Sequence, residues 1–446
     1  MLSICKNDYY YRVTPRIVCQ DKITQICIRP LDFHAAFEEN KVYRVCVIPL
    51  TSDVYTASRP PIFETTVVCR QGELRFSHAF VGEQEHFIRL YRENETACLL
   101  QTSVYSLQED LFSRRPYLGD FHVHSCFSDG RESPEFVAAM YRQAGYDFIA
   151  ITDHGRMDSS LRAIQTYQGI PLDFTLYPGE EVHPPHSHVH ILNIGGAFSV
   201  NERCLTENNG RPWGNPGRTE WLRAVEKRAA ALTDISPDLD PFVHATCLQV
   251  IDSIHEAGGM AVLCHPFWLA DVHNLTNEFT AQYIRKGYAD ALELIGGLSN
   301  HENMMQIAFY QQLLSEGCRV PVVGTSDSHG TVDRLGFDGT KSLILAKGNS
   351  KEDMMEAVCH QYSVAMDEYD GQEPRYYSSF RMVSYAMFLY EHYFPLHREL
   401  CYEEGRLMRE LVAGDTSAAA QLSLLAGRTT AHRERFFAQY GDNISG

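Results

Sequence analysis

The sequence predicts an α/β protein: a closed or nearly closed barrel of repeated strand–helix units, preceded by a small all-β sandwich and followed by a helical extension. Three observations predict it. Residues 1–113 hold short alternating strands broken at short intervals by turn signals. From Tyr117 the pattern switches to strand–helix alternation. Six later segments, most of them closing an apolar run, carry metal-ligand residues, and repeated βα units gather such strand ends at one end of a sheet.

The amino-terminal strands are RIVCQ, QICIRP, YRVCVIPL, FETTVVCR, ELRFSHAF, HFIRLYR and ACLLQTSVYS, separated by turns such as ENK, TSD, RQGE and RENE. SRRP reads as a linker into the barrel, expected over 117–348. LGDFHVH is its first strand. Ser133-Pro134-Glu135 starts a helix, with a serine N-cap, proline at the first helical position and an acid in the first turn. Phe136, Val137, Met140, Tyr141 and Ala144 share one face of that helix, and Gly145 ends it. DFIAITDH, FTLYPGEE, HVHILNIG, MAVLCHP, ALELIGG, VPVVGTSD and KSLILA follow as strands. CLQVIDSIHEAGG, NMMQIAFYQQLLSEG and KEDMMEAVCHQ are helices between them. Residues 199–243 interrupt the pattern with the loop-like NNGRPWGNPGR and the helical TEWLRAVEKRAAAL; an insertion directly after a ligand-bearing strand is expected to roof the site as a lid. Residues 349–446 form the helical extension, open either to packing on the barrel or to a homo-oligomer contact.

A chain of 446 residues with 44% apolar content suggests two or three units with ample core. The formal net charge of −18 disfavours long nucleic acid as a partner but not a small anionic substrate, because bound metal reverses the local field. Thirteen scattered cysteines without a CxxC fit a reducing cytoplasm. MLSICKNDYYYR has no apolar signal region, and no apolar run is long enough to span a membrane, so a soluble cytoplasmic protein is expected.

The ligand-bearing segments are FHVHSCFSDG (His122, His124, Asp129), AITDH (Asp153, His154), PGEEV (Glu180, Glu181), HSHVHILNIG (His186, His188, His190), LCHP (His265) and TSDSH (Asp327, His329). In extended backbone, residues i and i+2 point to one side, so His122 and His124, or Asp327 and His329, can face one ion. By the same rule only one of Glu180 and Glu181 faces the site, and His183 falls opposite to His186, His188 and His190. Pro266 stops its strand and leaves His265 at the end. Imidazole mixed with carboxylate suits hydrolytic Zn, Mn or Fe. Each pair alone has a bland reading, such as a surface turn or a helix cap. Together they point to a multinuclear metal site.

The order HxH…SDG…TDH…GxE…H…HP…SDSH resembles the PHP family, named for polymerase and histidinol phosphatase, over residues 117–348. The resemblance implies a distorted (βα)7, TIM-like barrel, two to three divalent metal ions and phosphoesterase activity. The β-domain in front is similar to an immunoglobulin-like domain of a related bacterial branch. Carried over, one ion would take His122, His124, Glu181 and Asp327. Glu181 would be shared with a second, completed by His265 and either His188 or His190. A third would take Asp129, His154 and His329. Asp153, His154, Asp327 and His329 are the expected catalytic group, with Asp153 orienting His154 or bound water.

The expected reaction is hydrolysis of a small phosphate ester, on nucleotides or short oligonucleotides, by a metal-activated water. Arg156 and Arg334, and with them Arg131 and Lys341, follow ligand motifs and are placed to clamp a phosphate. Two rivals stand beside it. One is an amidohydrolase-type enzyme acting on a C–N or C–O bond, although no lysine sits at a credible strand end to be carbamylated. The other is a non-catalytic binding protein working through its β-domain.

Overall fold

The computed structural model describes residues 9–51, 63–207, 214–333, 336–369 and 372–439. The chain divides into two compact units: one up to Arg114 with Phe380–His397 and the stretch from Gly427, the other Arg115–Ser379 with Arg398–Ala426.

The first unit holds β1 (Tyr11–Thr14), β2 (Ile17–Cys19), β3 (Ile23–Pro30), β4 (Val42–Pro49), β5 (Phe63–Val68), β6 (Leu74–Ala79), β7 (Gln84–Arg92), β8 (Leu100–Leu107) and the single turn α1 (Glu109–Phe112). Alternation along these strands sends Ile26, Ile28, Val45, Val47, Ile88 and Leu90 into one core. A three-stranded sheet, β1-β3-β6, is joined by a five-stranded one, β2-β8-β7-β4-β5. The two sheets share that core as a β-sandwich. β1 was not anticipated as a strand. Pro15, which has no N–H to give a ladder, separates it from β2, so β1 pairs with β3 while β2 pairs with β8.

The second unit runs β9 (Arg115–Asp120), α2 (Pro134–Gln143), β10 (Phe148–Ala150), α3 (Asp158–Thr166), β11 (Thr175–Tyr177), β12 (Gly179–Val182), β13 (Ile191–Ile194), α4 (Pro216–Ala231), α5 (Pro241–Glu256), β14 (Met260–Leu263), α6 (Asn277–Lys286), β15 (Ala291–Ile295), α7 (Asn300–Ser315), β16 (Val322–Gly324), β17 (Thr340–Ala346), α8 (Lys351–Cys359), β18 (Ser363–Asp367) and β19 (Arg375–Tyr377). Ser133 caps α2 through Phe136 N as expected. The strands form two mixed sheets, β11-β10-β9-β17-β18-β19 and β12-β13-β14-β15-β16. β9, β10 and β11 are parallel, as are β14, β15 and β16, whereas β12, β13, β17, β18 and β19 bring antiparallel pairs.

The strands thus lie in two mixed sheets, where a closed or nearly closed barrel of strand–helix units was expected. The stretch FTLYPGEE is cut at Pro178 into β11 and β12, which pair in different sheets. Isolated bridges, Val123 to Ser328 and His154 to Glu181, join the two sheets beside the ligand residues. Phe121, Phe148, Leu192, Val262, Val323 and Ile344 fill the space between the sheets, so the interior is packed and not a pore. Within the 199–243 insertion the described helix α4 packs on α5. Trp221 on α4 donates to Ser253 Oγ on α5 at 3.2 Å, and Arg228 pairs with Asp252, so α4 lies along an outer helix. Residues 208–213 are outside the described residues.

The helical extension is also corrected. β18 and β19 continue the sheet past residue 348 before the helices α9 (Phe380–His392), α10 (Phe394–Val412), α11 (Ser417–Leu425) and α12 (Arg428–Phe436) begin. α9 and α12 belong to the first unit; most of α10, with α11, belongs to the second. In the first unit Arg381 makes paired bonds of 2.6–2.8 Å to Glu83 and Asp110. In the second, α10 crosses α2 so closely that a Cβ on Gly405 would lie 2.1 Å from Gln143 N. Beside the crossing, buried Arg142 donates to Glu404 at 2.5 Å, and Asp173 N donates to the other Glu404 oxygen at 2.9 Å. Glu404→Ala would remove the nearer carboxylate from a buried guanidinium that still faces Asp147 at 3.8 Å and the Tyr146 carbonyl, and its expected cost is about 1.5–3 kcal/mol, read as a lowered urea midpoint.

Among the described residues no helix is long and apolar enough to cross a membrane.

Candidate metal centre

Glu181, on β12, is fully buried, and its two oxygens face two sets of imidazoles. Oε2 lies 3.5 Å from His122 Nε2, 3.5 Å from His124 Nε2 and 2.6 Å from His154 Nδ1. Oε1 lies 2.7 Å from His190 Nδ1 and 3.4 Å from His265 Nε2. Glu180 points the other way. It accepts from Asn193, Ser199, Asn201 and Val200 N at 2.6–3.0 Å, which ties the start of the insertion to the strand.

Asp327 Oδ1 sits 3.2 Å from His122 Nε2 and 3.0 Å from His124 Nε2. Asp129 Oδ2 sits 3.4 Å from His154 Nε2 and 3.3 Å from His329 Nε2. Five overlapping donor groups result among the described residues: His122, His124 and Asp327; Glu181, His190 and His265; His124, Asp129, His154 and His329; His154, Glu181 and His183; His122, Cys264 and His265. Within each group the donor atoms lie within 4.8 Å of one another.

The donor chemistry fits divalent cations. His122 Nε2, His124 Nε2, His190 Nδ1 and both Glu181 oxygens are buried without a hydrogen-bond partner, although they approach one another closely. Buried polar atoms are normally paired, so a converging set left unpaired is what a cation would satisfy. Two of the rings are held from behind through their other nitrogen. His122 Nδ1 is 2.9 Å from Glu293 Oε2, and His329 Nδ1 is 2.8 Å from the Asp327 carbonyl. Donation of those N–H groups leaves Nε2 as the free lone pair facing the site.

The local field agrees with the geometry. Burial would raise the Glu181 carboxyl, but His122 and its neighbours outweigh it and hold the pKa well below the usual carboxylate range. Asp327 is lowered in the same way, chiefly against its burial by His122 and His124. Burial disfavours the His122 imidazolium, yet Asp327 and Glu181 raise its pKa. His190 is pushed down to about 4 by burial, so it stays neutral and able to ligate. Cys264 lies against His122 and His265, but burial raises its thiol, which keeps it protonated.

The framework behind the donors is buried and polar. Asp120 accepts from His122 N, Ser326 N and the Tyr141 hydroxyl at 3.0–3.2 Å, which clamps the two loops bearing His122 and Asp327 together. Burial pushes the Asp120 carboxyl up to about 7. His265 and Asp327 have φ of 23° and 48°, left-handed values costly for non-glycine residues and held by the packed surroundings.

The structure brings together His122, His124, Asp129, His154, Glu181, His190, His265, Asp327 and His329. It does not bring in His188, which is exposed along with His186. β13 begins only at Ile191, so these histidines sit in a turn after Pro184-Pro185 and the strand-face rule does not apply. His183, expected to be incidental, stacks on His190 at 3.9 Å and reaches His154 at 2.9 Å.

Asp153 does not orient His154. It accepts from Ser125 N, Ser125 Oγ and Ser128 Oγ at 2.5–2.8 Å and so shapes the loop between His124 and Asp129. Arg156 is engaged by Asp158 at 2.6 Å and by the Phe127 carbonyl. Arg131 pairs with Asp333, and buried Lys341 with Asp338 and Glu368. None of these three is a free phosphate clamp. Arg334 lies outside the described residues. Glu293 and Asp120 went unread in the sequence because each is a single acid inside or ending an apolar strand, with no motif around it.

No family model and no curated protein matches the chain. Among solved structures it is similar to a two-domain protein of Bacteroides vulgatus containing a predicted PHP-like metal-dependent phosphoesterase (18% identity, 57% of this chain and 65% of that one, TM-score 0.39). It is similar to a candidate metal-dependent phosphoesterase of Bifidobacterium adolescentis (19% identity, 48% and 88%, TM-score 0.32). It is also similar to an amidohydrolase of Chromobacterium violaceum (20% identity, 49% and 89%, TM-score 0.30). The match thus spans just under two-thirds of the first structure's own length (65%).

Glu293→Ala removes the carboxylate behind His122 and the acceptor of His265 N at 3.2 Å. Metal affinity, measured by competition with a chromogenic chelator, is expected to fall about 10–100-fold, the usual effect of removing such a partner.

Proposed function

We propose that the chain is a metal-dependent phosphoesterase that hydrolyses a small phosphorylated substrate, in the class of nucleotide phosphates and short oligonucleotides. The observation that carries this is the buried Glu181 carboxylate, its two unbonded oxygens turned to two separate imidazole groups. Two to three divalent ions (Zn, Mn or Fe), when bound, would supply a water of lowered pKa and neutralise charge on the phosphoryl oxygens.

The chain's own groups prepare that chemistry. Glu181 offers one oxygen to His122, His124 and His154 and the other to His190 and His265, so it would be shared between two ions. Asp327 joins the first group, and Asp129 with His154 and His329 forms a third at the more exposed rim. Glu293 fixes the His122 tautomer, and Asp120 and Asp153 hold the donor loops in place. Donors come from β12 and from the loops that follow β9, β10, β14 and β16, so strands of both sheets serve one site. A cytoplasmic setting belongs to the same proposal.

The test is hydrolysis of p-nitrophenyl phosphate, bis-p-nitrophenyl phosphate and a 3′,5′-bisphosphonucleotide by metal-replete protein. Turnover of at least one is expected. The double variant Asp327→Ala, His329→Ala should lose at least about a hundredfold while still unfolding cooperatively. Activity surviving in that variant would overturn the mechanism. A full metal load with no turnover of any phosphate would shift the assignment to hydrolysis of a C–N or C–O bond.

A further inference from the structure

The first unit carries a second feature, remote in sequence from the metal-ligand segments. A cavity of about 210 Å³ is lined by Arg12 and Arg16 at the start of the sandwich and by His432, Arg435 and Phe436 on α12, with Leu396 on α10. Three guanidiniums share its wall, and no carboxylate lines it among the described residues. That is unexpected in a chain with 57 acidic against 39 basic residues.

Arg12 and Arg435 have no ion-pair or hydrogen-bond partner for their side chains among the described residues. Arg12 is lowered by burial and then by the neighbouring charges of Arg29 and Arg435. Arg16 is buried and fixed, donating to Thr102 Oγ1 at 3.0 Å and the Ser103 carbonyl at 2.8 Å. Burial pushes its guanidinium down to about 10, as befits a charge held away from water. His432 lies flat on Tyr393, with ring centroids 4.8 Å apart, and bonds the Tyr393 carbonyl at 3.1 Å. Tyr11, Val13, Leu31, Leu396 and Phe436 give the rest of the wall an apolar character.

We infer that this cavity is a binding site for a small organic phosphate, with the anionic head between Arg12, Arg16 and Arg435 and an apolar body against Leu396 and Phe436. Guanidiniums recognise phosphate oxygens through charge-assisted, often bidentate, bonds, and an anion here relieves the repulsion between Arg12 and Arg435. A volume of about 210 Å³ admits one phosphate with a ring-sized substituent, not a polymer.

The probe is phenylphosphonate, whose C–P bond resists hydrolysis, titrated calorimetrically into the full chain. The wild-type protein and the metal-centre variant Asp327→Ala, His329→Ala should both bind it. The double variant Arg12→Gln, Arg435→Gln should bind about 10–100-fold more weakly while keeping its full metal content. Inorganic phosphate binding more weakly than phenylphosphonate is the result expected from the apolar wall. Unchanged affinity in Arg12→Gln, Arg435→Gln, or loss of all binding in the metal-centre variant, would overturn the assignment. Neither result bears on phosphoesterase activity, which is read separately with the chromogenic substrates.

Discussion

A carboxylate buried without a hydrogen bond is among the most costly features a protein interior can hold, and Glu181 is the point around which the second unit is organised. Six imidazoles approach its two oxygens, from loops that follow β9, β10 and β14 and precede β13. Those loops would not converge without the polar frame behind them. Asp120 joins the His122 and Ser326 backbones, Asp153 shapes the turn before Asp129, and Glu293 holds both His122 and the His265 backbone. Left-handed backbone at His265 and Asp327 shows that positioning of these side chains overrides local preference. A cation shared by these groups would turn the cost of burial into binding energy, which is the physical content of the proposed metal centre.

Much of this was legible in the sequence, for a physical reason. Strand ends are where an apolar run meets its first polar residue, so His122, His154, Glu181, His265 and Asp327 stand out against FIAIT, AVLC and VVGTS. The β-sandwich was equally legible from strand length and turn spacing. What failed is what depends on pairing partners. Nothing local distinguishes a parallel neighbour from an antiparallel one, so β13 and β17 were read into a barrel of strand–helix units although both form antiparallel pairs, and β18 was not read as a strand. Pro15 and Pro178 were visible, but their effect, moving the chain from one sheet to another, shows only when both sheets exist.

The residues that were misplaced share another cause. His186 and His188 were read on a strand face, yet the double proline before them keeps the backbone out of a ladder until Ile191. Asp153 was read as orienting His154 or bound water, and its carboxylate accepts from Ser125 and Ser128, 25 to 28 residues away along the chain. Arg156 and Lys341 were read as free cations, and each has carboxylate partners. Glu293 and Asp120 carry no local signal at all. Their importance arises from what lies 171 and 206 residues distant, His122 and Ser326.

The central claim is that Glu181 is a metal-bridging carboxylate. Its most direct test is the anomalous scattering of crystals grown with Zn or Mn. Peaks within coordination distance of both Glu181 oxygens, at two separate positions, are the result the account predicts. A map with no anomalous peak at either oxygen, from protein saturated with the metal, would contradict it.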